Sequence, residues 1–340
     1  MPPFHIPLTV WLEKVPDKGE DSSPLVKIFP DGSGIVAVFD GLGGSGSTQY
    51  ELEGDSFSGA WIGSRIAKVV FACSLDWAIK RPEFSVEFWM DEYQFALRDI
   101  LLSIWKKLDT NPSKLRSSLM RPLPSTMSAI YFQPHESGYK AWCLNAGDSR
   151  SYILNPEKGL QQVSHDDIVT GADALETLHS STRISNCLSA DGKFSIHTYP
   201  FEVKCPVVFL SASDGCFDYV PFPANFEFIL LDCLQLADSA GNWAIRLGSQ
   251  FRAIAGDDVS LALSAIGWKD FAELKSAFQS RYEFLSKNFA TPIDELEEML
   301  RSAPEGDPDM EIKKDEIRKR LWERYRINYE LFMKIPQQHK

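Results

Sequence analysis

The chain is poor in most of the groups that mark a catalytic or metal-binding protein. It has 6 histidines and 6 cysteines in 340 residues, and neither set shows zinc-ligand spacing. Cys73, Cys143, Cys187, Cys205, Cys216 and Cys233 form no C-x-x-C pair and stand mostly among apolar neighbours, as buried thiols do. A disulfide framework is not expected in a chain of this size. There is no G-x-S-x-G elbow, and His165 in Ser164-His165-Asp166-Asp167 reads as a polar loop residue. Basic residues are outnumbered 35 to 47, giving a net charge of −12 and a pI near 5.1. A nucleic-acid or anionic-membrane partner would require the opposite balance. No apolar run is long enough to span a bilayer, and Met1-Pro2-Pro3-Phe4-His5-Ile6-Pro7 lacks the basic and apolar regions of a leader. The expectation is a cytoplasmic protein. With 44 % hydrophobic residues it can bury a substantial core.

What the chain does have is aspartate at the ends of apolar runs. Gly34-Ile35-Val36-Ala37-Val38-Phe39 stops at Asp40-Gly41, and Val207-Val208-Phe209-Leu210-Ser211-Ala212-Ser213 at Asp214-Gly215. Ala141-Trp142-Cys143-Leu144-Asn145-Ala146-Gly147 stops at Asp148, and Asp257-Asp258 precede Val259-Ser260-Leu261-Ala262-Leu263. Each run reads as a buried strand. A carboxylate at the mouth of a buried strand is costly without a counter-charge, and no run of Lys or Arg accompanies these. Divalent cations would supply it, and oxygen-only ligands favour Mg²⁺ or Mn²⁺. Asp31-Gly32 and Asp191-Gly192, set among polar residues, read instead as tight turns.

Gly41-Leu42-Gly43-Gly44-Ser45-Gly46-Ser47-Thr48 contains the pattern of a dinucleotide turn and the outline of a P-loop. Ser47 stands where a P-loop needs lysine. Gln49-Tyr50-Glu51-Leu52-Glu53-Gly54-Asp55 separates the loop from the next helix, so no helix N-terminus would meet a pyrophosphate.

Helical periodicity runs over Phe57–Lys80 and Ser85–Leu108. Strand patterns follow at Thr126–Phe132, Tyr139–Leu144, Ser149–Leu154, Phe194–Phe201, Val207–Ala212 and Val259–Ala265, with helices at 223–237 and 240–254. Grouped strands and paired helices predict α+β layers. From Trp268 the pattern is helical over 269–288, 292–302 and 310–335, broken at Ala303-Pro304-Glu305-Gly306-Asp307-Pro308-Asp309. The last helix, with a basic solvated face, reads as a stabilising appendage.

The ordered series Glu20-Asp21, Val38-Phe39-Asp40-Gly41-Leu42-Gly43-Gly44, Ser125-Thr126, Asn145-Ala146-Gly147-Asp148-Ser149-Arg150, Ala212-Ser213-Asp214-Gly215 and Gly256-Asp257-Asp258-Val259-Ser260 resembles the metal-dependent serine/threonine protein phosphatases of type 2C, the PPM family, in its bacterial form. The resemblance covers about residues 10 to 267. It implies a four-layer α-β-β-α sandwich of two antiparallel sheets flanked by helices, spanning 1–267, with a C-terminal helical extension over 268–340. It also implies two Mn²⁺ or Mg²⁺ ions and a third position. Asp40 would bridge two ions, the Gly41 carbonyl would bind the second, and Asp214 and Asp257 would ligate the first. Asp21 would hold metal-bound water, and Asp148 with Asp214 would form the third position. Asp40 and Asp214 are the residues assigned to catalysis, and 160–193 would be the variable flap.

Three positions depart from the family. Leu42 replaces the histidine acid of many eukaryotic members, leaving protonation of the leaving group to water. Asp258 stands where the family usually has asparagine, which would alter the metal shell. The phosphate-binding arginine near the N-terminus has no clean match, and neither Lys14 nor Lys18 is assigned in its place. The implied activity is hydrolysis of phosphoserine or phosphothreonine on a protein, in opposition to a serine/threonine kinase. A hydroxide held between two cations would be the nucleophile, which suits the missing nucleophile motifs. The alternative is a catalytically impaired module that binds a phosphoprotein or kinase.

Overall fold

The computed structural model of the protein describes residues 4–52, 54–108, 120–136, 138–168, 184–302 and 308–333. Most of the 303–309 break and the middle of the expected flap, 169–183, lie outside them.

Two five-stranded antiparallel sheets form the centre. The first has the order β1 (His5–Leu12), β12 (Val259–Ile266), β11 (Val207–Ala212), β8 (Arg150–Asn155), β9 (Gly159–Gln162). The second has the order β10 (His197–Lys204), β7 (Gly138–Ala146), β6 (Met127–His135), β3 (Gly34–Val38), β2 (Leu25–Ile28). A small hairpin joins β4 (Gln49–Leu52) to β5 (Asp55–Ser58). Strands β3, β11 and β12 are buried at every position, which is why they read as unbroken apolar runs.

Between the sheets Val36, Val38, Ile130 and Phe132 meet Ile153, Phe209 and Ala262. The Phe132 and Phe209 rings stack across the gap at 4.5 Å. A polar seam threads this layer: Ser151 Oγ lies 2.7 Å from Ser128 Oγ and 2.8 Å from Ser211 Oγ, so each buried hydroxyl is satisfied by another. Helices α1 (Gly59–Ala78) and α2 (Val86–Leu108) cover the outer face of the second sheet through Phe71, Leu75, Trp89 and Tyr93. Helices α3 (Pro223–Leu236) and α4 (Ala240–Ile254) cover the first through Leu230, Trp243, Leu247 and Phe251. The expected four-layer sandwich is the fold observed.

Local chemistry sets the helix starts. Ser58 accepts the N–H of Trp61 at 3.0 Å, so α1 begins at Gly59 and Phe57 belongs to β5. Ser239 caps α4 through Asn242 N, and Pro223 opens α3 at a position where its missing N–H is harmless.

The C-terminal segment forms α5 (Phe271–Ala277), α6 (Gln279–Leu285), a π-turn at Ser286–Ala290, α7 (Thr291–Ser302) and α8 (Pro308–Tyr329). The pattern at 269–288 predicts one helix, but Phe278 caps α5 and restarts the chain as α6. Trp322, Tyr325 and Tyr329 of α8 are buried in the same cluster as Tyr152, Leu210 and Phe226. Tyr329 donates to Gln162 Oε1 at 2.9 Å and Tyr325 to Glu227 Oε2 at 2.8 Å, while Arg281 pairs with Glu227 Oε1 at 2.7 Å. The appendage therefore packs back on the sandwich.

Candidate active site

Strand register brings the aspartates to one end of the sandwich. Val38 pairs with Ser128, Met127 with Ala146, and Ala212 with both Arg150 and Leu261. Asp40, Asp148, Asp214 and Asp258 thus leave both sheets at the same rim. Asp21 arrives there from the β1–β2 connection, fixed where Ser22 N meets Phe39 O at 3.0 Å.

The carboxyls of Asp21 and Asp40, and those of Asp40 and Asp214, lie within hydrogen-bonding reach of one another. Asp21 and Asp40 are buried, at 2 % and 8 % exposure. Burial, then the charge of Asp214, pushes Asp21 up to about 7. Burial and the charge of Asp257 push Asp214 up to about 6. Burial, then repulsion from Asp21, Asp214 and Asp148, holds Asp40 well above the usual carboxylate range. Asp148 is raised in the same way, by burial and then by Asp214, Asp166 and Asp218. Asp257 sits exposed at the rim of the cluster, where its charge reaches Asp214 and Glu20.

The residues suit hard divalent cations. Asp21 Oδ2 and Asp148 Oδ1 are buried with no hydrogen-bond partner, and a cation is the partner such oxygens lack. The donors are all oxygen, which fits Mg²⁺ or Mn²⁺. Among the described residues no three His, Cys, Asp or Glu side chains are already gathered as a coordination shell. Asp40 is instead paired with Asp21 and Asp214, as carboxyls do when they share protons.

Two glycines explain how the backbones come so close. A Cβ on Gly41 would lie 2.6 Å from Glu20 O and 2.7 Å from Ala60 O, and one on Gly215 would lie 1.9 Å from Asp258 O. Neither has a positive φ, so close approach is what requires glycine there. Gly32 and Gly192 do have positive φ, at 85° and 71°, and form the ordinary turns read from their polar setting.

Asp258 behaves differently from the expectation that it alters a metal shell. Its Oδ1 accepts the backbone N–H of Lys14 at 2.7 Å, and its Oδ2 accepts those of Glu20 at 2.5 Å and Asp21 at 3.4 Å. A carboxylate spent on backbone amides positions the 14–21 loop, and with it Asp21. Arg65 of α1 completes the clamp, donating to Gly19 O at 3.0 Å and Glu20 O at 3.4 Å while lying over the Trp61 ring. Lys14 meets Asp258 through its backbone N–H.

Four more residues at this rim, Asp218, Arg150, Asp166 and Asp167, were given no role by sequence reasoning. Asp218, one turn beyond Asp214, is pushed up to about 7 by burial and the charge of Asp214. Arg150 is buried, pairs with Asp166 at 2.7 Å and lies over Phe217, putting a cation beside the cluster that a scan for basic runs does not see. Asp167 accepts Gly147 N at 3.0 Å and Asn186 Nδ2 at 2.6 Å, and pairs with His197 Nε2 at 3.2 Å. It ties both edges of the expected flap to the turn that carries Asp148. His165 packs its ring on Tyr199 at 4.8 Å, a structural contact.

The architecture is shared with solved bacterial serine/threonine phosphatases. A point variant of a bacterial serine phosphatase matches with a TM-score of 0.56 at 16 % identity, covering 77 % of this chain and 98 % of its own. The catalytic domain of the serine/threonine phosphatase PstP, solved with two manganese ions, matches with a TM-score of 0.52 at 18 % identity, over 78 % of this chain and 99 % of its own. The serine/threonine phosphatase of Staphylococcus aureus matches with a TM-score of 0.54 at 16 % identity, over 77 % of this chain and 95 % of its own. No family sequence model and no curated protein matches the chain. At these identities the likeness establishes the fold: this chain has the architecture of the type 2C phosphatases.

Proposed function

We propose that this chain is a metal-dependent protein phosphatase that hydrolyses phosphoserine or phosphothreonine on a protein, in opposition to a serine/threonine kinase. The observation that carries the reading is the convergence of Asp21, Asp40, Asp148 and Asp214 from both sheets on one rim, with two buried carboxylate oxygens lacking any partner. Asp40 and Asp214, with Asp21, the Gly41 carbonyl and Asp257, would hold two Mn²⁺ or Mg²⁺ ions, and Asp148 would serve a third. Bound there, such ions would lower the pKa of water and neutralise charge on the phosphoryl oxygens.

The chain's own part is positional. Asp258 and Arg65 fix the loop that presents Asp21, and Asp167 fixes the turn that presents Asp148. Leu42 offers no proton, so the departing seryl or threonyl oxygen takes one from water. Residues 1–267 would be the phosphatase unit and 268–340 its helical extension. Among the described residues no helix is long and apolar enough to cross a membrane. A cytoplasmic setting belongs to the proposal and rests on six unpaired cysteines.

The test is Mn²⁺-dependent release of phosphate from a phosphopeptide. Activity that persists in EDTA, or in Asp214→Ala, would sink the reading. The competing reading, a module that binds a phosphoprotein without hydrolysing it, draws on the absence of a ready-made three-carboxylate shell among the described residues. Calorimetry with Mn²⁺ separates the two, since the enzyme binds the ion and turns over.

A further inference from the structure

Strand β1 is the outer strand of the first sheet, paired with β12 on one side, and no strand among the described residues pairs with its other edge. It is eight residues long. Edges of this length are normally covered or blunted by charge, because their free N–H and C=O groups template another strand. Here the edge borders an open groove of about 400 Å³, walled by Val10, Trp11 and Leu12 on the strand and by Ile245, Gly248 and Arg252 on α4. Gly248 faces the strand, where a Cβ would meet Val10 at 3.8 Å and Leu12 at 3.9 Å, ordinary contact distances. Trp11 and Ile245 remain 43 % and 68 % exposed beside it.

The groove leads to the carboxylate cluster along both walls. Trp11 Nε1 donates to Asp21 O at 3.3 Å. Leu12 pairs with Val259, which directly follows Asp257-Asp258. Arg252 lies one helical turn beyond Gly248 and shortly before Asp257, so it stands at the end of the groove nearest the cluster. It is exposed and has no ion-pair partner among the described residues. In a chain of net charge −12, a lone unpaired guanidinium between an apolar edge groove and an acidic site is a specific cue for an anionic group.

We infer that this groove docks an extended stretch of the phosphoprotein substrate as an added strand on β1, with apolar side chains against Trp11 and Ile245 and an acidic or phosphorylated residue at Arg252. The inference rests on the phosphatase reading for the identity of its occupant. It makes the groove a determinant of substrate choice, separate from the groups that act at phosphorus.

The test uses the full metal-loaded chain and the variants Ile245→Asp and Arg252→Glu. The substrates are p-nitrophenyl phosphate, which cannot reach the groove, and a phosphopeptide with apolar and acidic residues flanking its phosphoserine. KM for the phosphopeptide is expected to rise about tenfold in each variant, while Ile245→Asp leaves p-nitrophenyl phosphate kinetics unchanged. An unchanged peptide KM in both variants, or equal losses on both substrates in Ile245→Asp, overturns the inference. So does a wild-type dimer that Ile245→Asp converts to monomer with peptide KM intact, since the occupant is then a second copy. If the wild type hydrolyses neither substrate, the phosphatase reading fails by itself. The groove is then read by anisotropy of the labelled phosphopeptide: binding weakened about tenfold by Ile245→Asp supports it, and binding that is absent or equal in both proteins overturns it.

Discussion

Asp258 Oδ1 accepts the backbone N–H of Lys14 at 2.7 Å, joining the approach to β12 to a loop 244 residues away in sequence. With its second oxygen on Glu20 and Asp21, this one carboxylate sets the height at which Asp21 meets Asp40. Asp258→Ala leaves three backbone amides without their acceptor and is expected to cost about 2–3 kcal/mol. Asp258→Asn, with one acceptor oxygen, recovers part of that. Denaturant melts and Mn²⁺ calorimetry on both variants check it. Equal Mn²⁺ affinity in the wild type and Asp258→Ala would show that the loop holds Asp21 without help.

Asp40 is raised by burial and by three neighbouring aspartates, so its charge opposes folding when no cation is bound. Asp40→Asn is therefore expected to raise the melting temperature in EDTA and to remove the gain that Mn²⁺ gives the wild type. Phosphate release in Mn²⁺ should fall on the order of 10²–10³-fold. Thermal melts with and without the ion, run beside the assay, decide it.

The metal-free protein should lose stability as pH rises. In the folded protein burial and neighbouring charge push Asp21 up to about 7 and Asp214 up to about 6, against 3.8 for an unperturbed aspartate. The folded state holds protons that the unfolded chain has released, so this contribution is full below about pH 4 and disappears as pH passes about 7. Melts in EDTA at pH 5 and pH 8 should therefore favour pH 5. Saturating Mn²⁺ should narrow the gap, because the ion prefers the deprotonated carboxylates. A higher melting temperature at pH 8 in EDTA would contradict the proposed repulsion.

Helix α8 should behave as part of the core. Trp322→Ala removes a ring that is 2 % exposed and touches Phe222, and is expected to cost about 3–5 kcal/mol. Tyr325→Phe leaves Glu227 short of one donor and should cost about 1–2 kcal/mol. Urea denaturation gives both values. A Trp322→Ala midpoint equal to the wild type would mean that α8 detaches without consequence.

The strands that read clearly in the sequence, β3, β7, β11 and β12, are buried along most or all of their length, and burial on both faces leaves an unmistakable run of apolar residues. The strands that were missed have weaker patterns. β1 alternates but is interrupted by Pro7, β2 is half-buried throughout, and β9 reads Gly-Leu-Gln-Gln. Asp40, Asp148, Asp214 and Asp257 were legible because each borders an apolar run, whereas Asp21 entered only through the family resemblance. Arg150, Asp166, Asp167 and Asp218 were not, because nothing local distinguishes a buried ion pair from a surface one.

Apolar periodicity and a carboxylate that ends a buried run are local facts, so the layers and the residues at the strand mouths follow from the chain's own pattern. That Asp258 serves backbone amides, that Arg150 stands among the acids, and that a strand edge unpaired among the described residues leads into them came only with the fold. Those depend on which distant segments share a rim, and that is fixed by strand order and register rather than by any stretch of chain.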